Sequence, residues 1–275
     1  MDAVQSHNSA DLPLVTLDNN AIVALRENEP DAPAVNELLA MNRDEQIVIN
    51  ITLSTALEAG PSGLRRDWQE HIAWFESLGI TRSNIFTGPR TIGFINPSDP
   101  GVTIFDPWLE SQFNMRLHQI LFPNVPFSWY EFRDTQCGHA GLPLDAMAEY
   151  ELAQDLLYIY IPPTPRHPQQ PPTPHLDALT PEEQAKVREL YQELKSNWHN
   201  AKNDAIGIYN HLTVAAHTSH AEWSVFVSND RNFRKATKLP KIRAMGFRGE
   251  ILPPAEAVAF LRSVILDRDF ALAPK

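Results

Sequence analysis

Short β-branched or apolar runs, each delivered into a polar turn and followed by residues at helical spacing, recur at both ends of this chain and narrow its fold more than any other feature. Pro13 to Leu17 is such a run, and it ends at Asp18, after which Asn19 and Asn20 lead into a helix-like stretch from Ala21 to Glu27. Pro33 to Asn42 then puts Val35, Leu38 and Leu39 on one helical face, and Gln46 to Ile51 reads QIVINI, a buried strand by its β-branched content. Ser54 to Leu57 begins another helix, which carries Glu58 within its first turns. Near the other end, Asp204 opens a segment with Ala205, Ile208, Tyr209 and Leu212 at helical spacing. Trp223 to Val227 is a strand that delivers Ser228, Asn229 and Asp230, and Gly249 to Leu252 is a last strand before the helix that Pro253 and Pro254 start. Strand, helix and strand in alternation predict an α/β fold with a parallel sheet.

The middle of the chain differs. Residues 61 to 199 hold most of the tryptophans, and Pro162 to Pro174 has seven prolines in thirteen positions, a connector that favours extended polyproline geometry. Helices are expected over Asp67 to Leu78, Trp108 to Leu121, Asp145 to Ile159 and Pro181 to His199. The chain therefore reads as a discontinuous α/β core, residues 1–60 and 200–275, interrupted by a mainly helical insertion.

Asp18, Glu58, Asp204 and Asp230 all fall where strand or loop turns into helix. A single acid there is usually a cap or a partner of the helix dipole. Four at one kind of junction are different, because close carboxylates repel and persist only with protons or cations to neutralise them. Ligands of an open parallel sheet bind beyond the carboxyl ends of its strands, so Asp18 and Asp230 share one edge by topology. Ser228 has a hydroxyl to orient a carboxylate or a water, and Asn20 offers a neutral amide. Oxygen ligands of this kind suit a hard divalent cation and so phosphodiester chemistry.

The ordered series VTLDNNAIVALRE, STALEAG, NDAIGIYNHL, VFVSNDRNF and GEILPPAEAVAFL resembles the PIN domain, over roughly 110 residues in Leu14 to Gly60 and Lys202 to Leu261. The resemblance implies a three-layer α/β/α ribonuclease fold. Its acidic quartet falls on Asp18, Glu58, Asp204 and Asp230, its hydroxyl position falls on Ser228, and it implies Mg²⁺ or Mn²⁺ as cofactor. An RNA substrate follows, cut by an endoribonuclease of the VapC type. The chain departs from the family in the 145 residues, positions 59 to 203, between its second and third acids. This insertion reads as a lid, an RNA-guiding module or a partner surface.

Composition bears on partners and surroundings. A net charge of -11 and a pI near 5.3 exclude a protein that grips nucleic acid through a broad basic field. Arg231, Arg234, Lys235, Lys238, Lys241, Arg243 and Arg248 form the one basic concentration, beginning directly after Asp230, where Arg231 and Arg234 are candidates for phosphate contact. The lone Cys137 forms no intramolecular disulfide and reads as a buried apolar side chain. MDAVQSHNSADL lacks the pattern of a signal peptide, and no run of 18 apolar residues is present, so the expectation is a soluble, cytoplasmic protein away from the membrane. The histidines, His211, His217 and His220 among them, read as surface or helix-end residues rather than zinc ligands. The aromatic stretch Phe122 to Phe132 reads as subdomain core ahead of a base-stacking platform. An aspartyl-phosphate phosphatase needs a second acid where this chain has Asn20. Besides the ribonuclease, two alternatives stand: a catalytically silent scaffold that binds RNA or a protein regulator, and a toxin held by an antitoxin. A second copy of the chain is a further candidate partner.

Overall fold

The computed structural model describes residues 12–52, 68–86, 93–96, 99–105, 107–158, 175–216 and 218–272. Glu58 with its expected helix, the proline-rich connector, His167 and His217 lie outside the described residues.

The protein is α/β. Strands β1 (Leu14–Leu17), β2 (Val48–Thr52), β3 (Ile85–Phe86), β6 (Val225–Val227) and β7 (Glu250–Leu252) form one sheet in the order β3-β2-β1-β6-β7, with every neighbouring pair parallel. Strands β4 (Gly93–Asn96) and β5 (Asp99–Phe105) pair separately as an antiparallel ribbon. The sheet is wound outward in two directions from its centre. One half runs from β1 to β2 and β3, and the chain later returns beside β1 to build β6 and β7.

Side chains alternate along each strand, and the alternation divides the core into two layers. Val15, Leu17, Ile49, Ile51, Val225 and Val227 face one cluster, which buries Ala21 and Ile22 of α1 (Asn19–Glu27), Val35, Leu38 and Leu39 of α2 (Ala32–Arg43) and Ile72 and Phe75 of α3 (Trp68–Ser77). Phe226 and Ile251 face the other, against Leu117 and Leu121 of α4 (Pro107–Leu121) and Ala205, Ile208 and Leu212 of a long helix described below. Each such aliphatic side chain, fully buried, contributes about 1.5–3 kcal/mol. Where β1 and β2 meet that second layer, the facing residues are Thr16, Asn50 and Thr52, all buried. Gly249 admits β7 to the sheet, since a Cβ there would stand 2.1 Å from the Ser224 carbonyl oxygen, which instead accepts the Glu250 N–H at 2.9 Å.

The chain separates into two compact units, one of residues up to Pro123 together with Lys202 onward, the other Asn124–Ala201. The first unit extends beyond the residues 1–60 and 200–275 read as its core, because β3 lies in its sheet and Ile72, Phe75 and Ile80 in its apolar layer. The second unit is helical. Its α5 (Trp129–Ala140) starts at Ser128, whose side chain accepts the Glu131 N–H, and ends at Gly141 with φ 66°. With α6 (Leu144–Tyr158), α5 encloses a core of Trp129, Phe132, Cys137, Met147, Val187, Tyr191 and Leu194. Trp129, Phe132 and Cys137 are therefore core residues, as the sequence suggested, and burial raises the Cys137 thiol pKa.

Helix α7 (Pro181–Ala215) is one unbroken element of 35 residues, opened by a capping box in which Thr180 and Glu183 exchange hydrogen bonds. The sequence had suggested a helix ending at His199 and a fresh one opening at Asp204. The structure corrects this: Asp204 lies well inside α7, away from any helix N-terminus. Helix α8 (Leu239–Ala244) and helix α9 (Pro254–Leu272) complete the fold. No described helix is long and apolar enough to cross a membrane.

Candidate functional site

The winding direction reverses between β1 and β6, and at such a point the loops leaving two adjacent strands part and open a crevice. Asp18 leaves β1 there, and Ser228, Asn229 and Asp230 leave β6. The two strand ends are held together by the Asp18 N–H donating to the Val227 carbonyl at 3.0 Å.

Asp18 sits at the N-cap of α1 with extended dihedrals, φ -76° and ψ 162°, yet its side chain makes no capping hydrogen bond. The ordinary structural role of an acid at this position is therefore absent. The carboxylate turns toward β6 instead. Its Oδ2 accepts from the Ser228 hydroxyl at 2.6 Å and from the Asn20 amide at 2.8 Å. Asn20 also donates to Ser228 Oγ at 3.1 Å and accepts the Asn229 N–H at 3.0 Å. Ser228 thus spends its one proton on Asp18, while its oxygen accepts from Asn20 and, at 3.0 Å, from the Asp230 N–H. Asp18, Asn20, Ser228 and Asp230, drawn from sequence positions about 210 apart, form one hydrogen-bonded knot.

Electrostatically the knot is unusual. Asp18 is 8% exposed. Burial raises its pKa to about 6, the nearby Asp230 charge pushes the same way, and the bonds from Ser228, Asn20 and the Asn19 backbone hold it lower than burial alone would. Among the described residues, every donor to this carboxylate is neutral. Such an acid has a strong appetite for a proton or a cation.

The Asp230 loop is braced from two directions. Asn229 Nδ2 donates to Asp31 Oδ2 at 2.6 Å, at the start of α2. Asp230 Oδ1 accepts the Asn232 N–H at 2.7 Å, a turn closed within the loop. The Asn232 side chain in turn donates to the Leu121 carbonyl at 3.2 Å, at the end of α4, and the Lys238 ammonium donates to both that carbonyl and Asn232 Oδ1. Burial lowers the Lys238 pKa, as does Lys235, while Asp230 acts in the opposite sense. Of the basic residues, Arg231 is exposed, Arg234 is half-buried with Nη2 3.4 Å from the Asn229 carbonyl, and Arg243 is committed to Glu250 at 3.0 and 3.1 Å.

Asp204, half-buried, belongs to the same unit as this knot, whereas Glu58 falls outside the described residues. Among the described residues, no group of three or more His, Cys, Asp or Glu side chains stands close enough to hold a metal ion. The oxygen-only donor set of Asp18, Asp230, Ser228 and Asn20 does match what a hard divalent cation selects.

His211 corrects its reading as a surface or helix-end residue: it is 1% exposed and inside α7. Its ring bonds Thr16 Oγ1 at 2.9 Å and Ser224 Oγ at 3.2 Å. The preceding Asn210 donates to Thr52 Oγ1 at 2.8 Å. Neither contact was foreseen, though Thr16 and Thr52, polar positions in otherwise apolar strands, were their trace in the sequence. Set against known proteins, the chain matches no family model, no curated protein and no solved structure.

Proposed function

We propose that this protein is a PIN-like, Mg²⁺- or Mn²⁺-dependent endoribonuclease whose acids are Asp18, Glu58, Asp204 and Asp230. The observation that carries the reading is the state of Asp18: a buried carboxylate at the topological switch point, released from helix capping, bonded only by neutral donors and beside a second acid. At neutral pH the ionised form of such a group costs folding free energy, a cost that a bound cation offsets.

In this reading Asp18 and Asp230 are the principal cation ligands, joined by Asp204, with Glu58 completing the set or positioning the attacking water. When bound, the cation supplies activation of water and relief of negative charge on the phosphoryl oxygens. The chain's own residues do the rest. Ser228 and Asn20 hold Asp18 Oδ2 in place, the Asn232 turn holds Asp230 Oδ1, and the exposed Arg231 is available to a phosphate of the RNA.

The test is cleavage of varied RNAs in Mn²⁺ by wild type, Asp18→Asn and Asp230→Asn. Activity lost in both variants, at least about a hundredfold for several kcal/mol of transition-state stabilisation, is the expected result. Equal activity in all three proteins sinks the assignment of the site. An inactive wild type favours the catalytically silent scaffold.

A further inference from the structure

From the helix carrying Asp204, His211 bonds directly to the strand that carries Asp18 and to the residue that leads into the strand carrying Asp230. It reaches Thr16, two residues before Asp18 on β1, and Ser224, which enters β6 four residues before Ser228. The bonding pattern fixes the tautomer. Ser224 Oγ donates its proton to the Ala221 carbonyl at 2.6 Å, so it accepts from His211 Nε2–H, which leaves Nδ1 to accept from the Thr16 hydroxyl. The ring is also wedged, with Phe247 stacked at 5.2 Å and Phe226 edge-on at 5.9 Å.

Helix geometry connects this ring to the acid site. Residues seven apart on an α-helix return to nearly the same face, so Asp204, Ile208 and His211 form one stripe, and Ile208 is fully buried in the layer against the sheet. Because α7 ends at Ala215 and its loop enters β6 at the amino end, earlier residues of α7 lie toward the carboxyl ends of the strands. Asp204 stands about 10 Å along the axis from His211 in that direction, and Asp18 about 7 Å along β1 from Thr16 in the same direction. The apolar contacts of Ala205, Ile208 and Leu212 permit small sliding of the helix, whereas two directional hydrogen bonds from a buried ring do not.

We infer that His211 is a positioning residue, a buried strut that sets the height of α7 over β1 and β6 and so delivers Asp204 to the cation site of Asp18 and Asp230. The inference rests on the metal-site reading above. Burial holds the ring neutral, with a pKa lowered to about 3, so the strut keeps both bonds throughout the working pH range.

Two measurements on folded wild type, His211→Leu and His211→Gln test it: amide hydrogen exchange of residues 204–215 without metal, and Mn²⁺ affinity from the resonance of free Mn²⁺. His211→Leu is expected to speed exchange at least about tenfold and to weaken Mn²⁺ about 10–100-fold, the usual cost of losing an outer-sphere support, with His211→Gln recovering part of both. Unchanged exchange overturns the strut whether or not the protein binds Mn²⁺. Faster exchange with unchanged Mn²⁺ affinity overturns the positioning role. If wild type binds no Mn²⁺, or binds it equally well as Asp18→Asn, the metal-site reading fails and the positioning role falls with it, while exchange still decides the strut. Should His211→Leu fail to fold, Thr16→Val and Ser224→Ala each delete one bond and carry the same test.

Discussion

Two buried acids, one in each unit, are treated in opposite ways. Glu151 of α6 is 8% exposed, accepts from the Arg133 guanidinium at 2.7 Å and from Trp129 Nε1 at 2.5 Å, and so has its counter-cation built in. Asp18 is buried to the same degree and receives a hydroxyl, a side-chain amide and a backbone N–H, with a second carboxylate nearby in place of a cation. Glu151 is complete as folded and serves the Trp129 core. Asp18 is left with an unbalanced charge, which is how a site differs from a strut when both are buried acids.

The comparison breaks most forcefully at Arg133. Replacing it by Met leaves Glu151 buried and unpaired, which should cost about 3–5 kcal/mol in denaturant unfolding, while Arg133→Met with Glu151→Leu should recover most of that loss. An uncoupled pair of effects would mean Glu151 is less dependent on its partner than the geometry indicates.

Asp18 should respond with the opposite sign. Its folded pKa of about 6 lies above the ordinary 3.8, so its ionisation opposes folding; that penalty is absent below about pH 4 and complete above about pH 6. Asp18→Asn should therefore stabilise the metal-free protein by up to about 3 kcal/mol at pH 7.5, with the gain vanishing near pH 4. A variant less stable than wild type at pH 7.5 would show that Asp18 is held as a structural acid.

Ser228→Ala sharpens the same contrast at smaller scale. It removes a donor from Asp18 and the acceptor of the Asp230 N–H, so it should cost about 1–2 kcal/mol and raise the Asp18 pKa further. Asn232→Ala, which removes the side-chain bond to the Leu121 carbonyl and one contact of Lys238 but keeps the backbone N–H that Asp230 Oδ1 accepts, should cost about 1 kcal/mol or less, read as a shift in thermal midpoint.

Much of the sheet was legible because its strands are short apolar runs with unambiguous turns. Leu14–Leu17, Val225–Val227 and Glu250–Leu252 each fall within the run that announced them, and Val48–Thr52 exceeds its run, Gln46 to Ile51, by one residue. The order of Asp18 before Asn20, and of Ser228 before Asp230, was legible for the same reason, since residues two apart around a strand end must share an edge. The two-residue strand β3 was not, because Ile85–Phe86 has too few residues to show a period and gains its place only by pairing with Ile51 and Thr52. Asp204 was misplaced at a helix start because Asn203-Asp204 resembles a cap, whereas α7 continues through it on the strength of flanking helix formers and a buried stripe. His211 was missed because its partners, Thr16 and Ser224, are 195 and 13 residues away and each looks ordinary alone.

The most direct test follows the Asp18 carboxyl carbon by ¹³C NMR as pH is varied, with and without Mg²⁺. The metal-free protein should titrate near pH 6, and saturating Mg²⁺ should lower that midpoint by more than about one unit, as an opposing charge does. A midpoint at the ordinary carboxylate value, indifferent to Mg²⁺, would contradict the account.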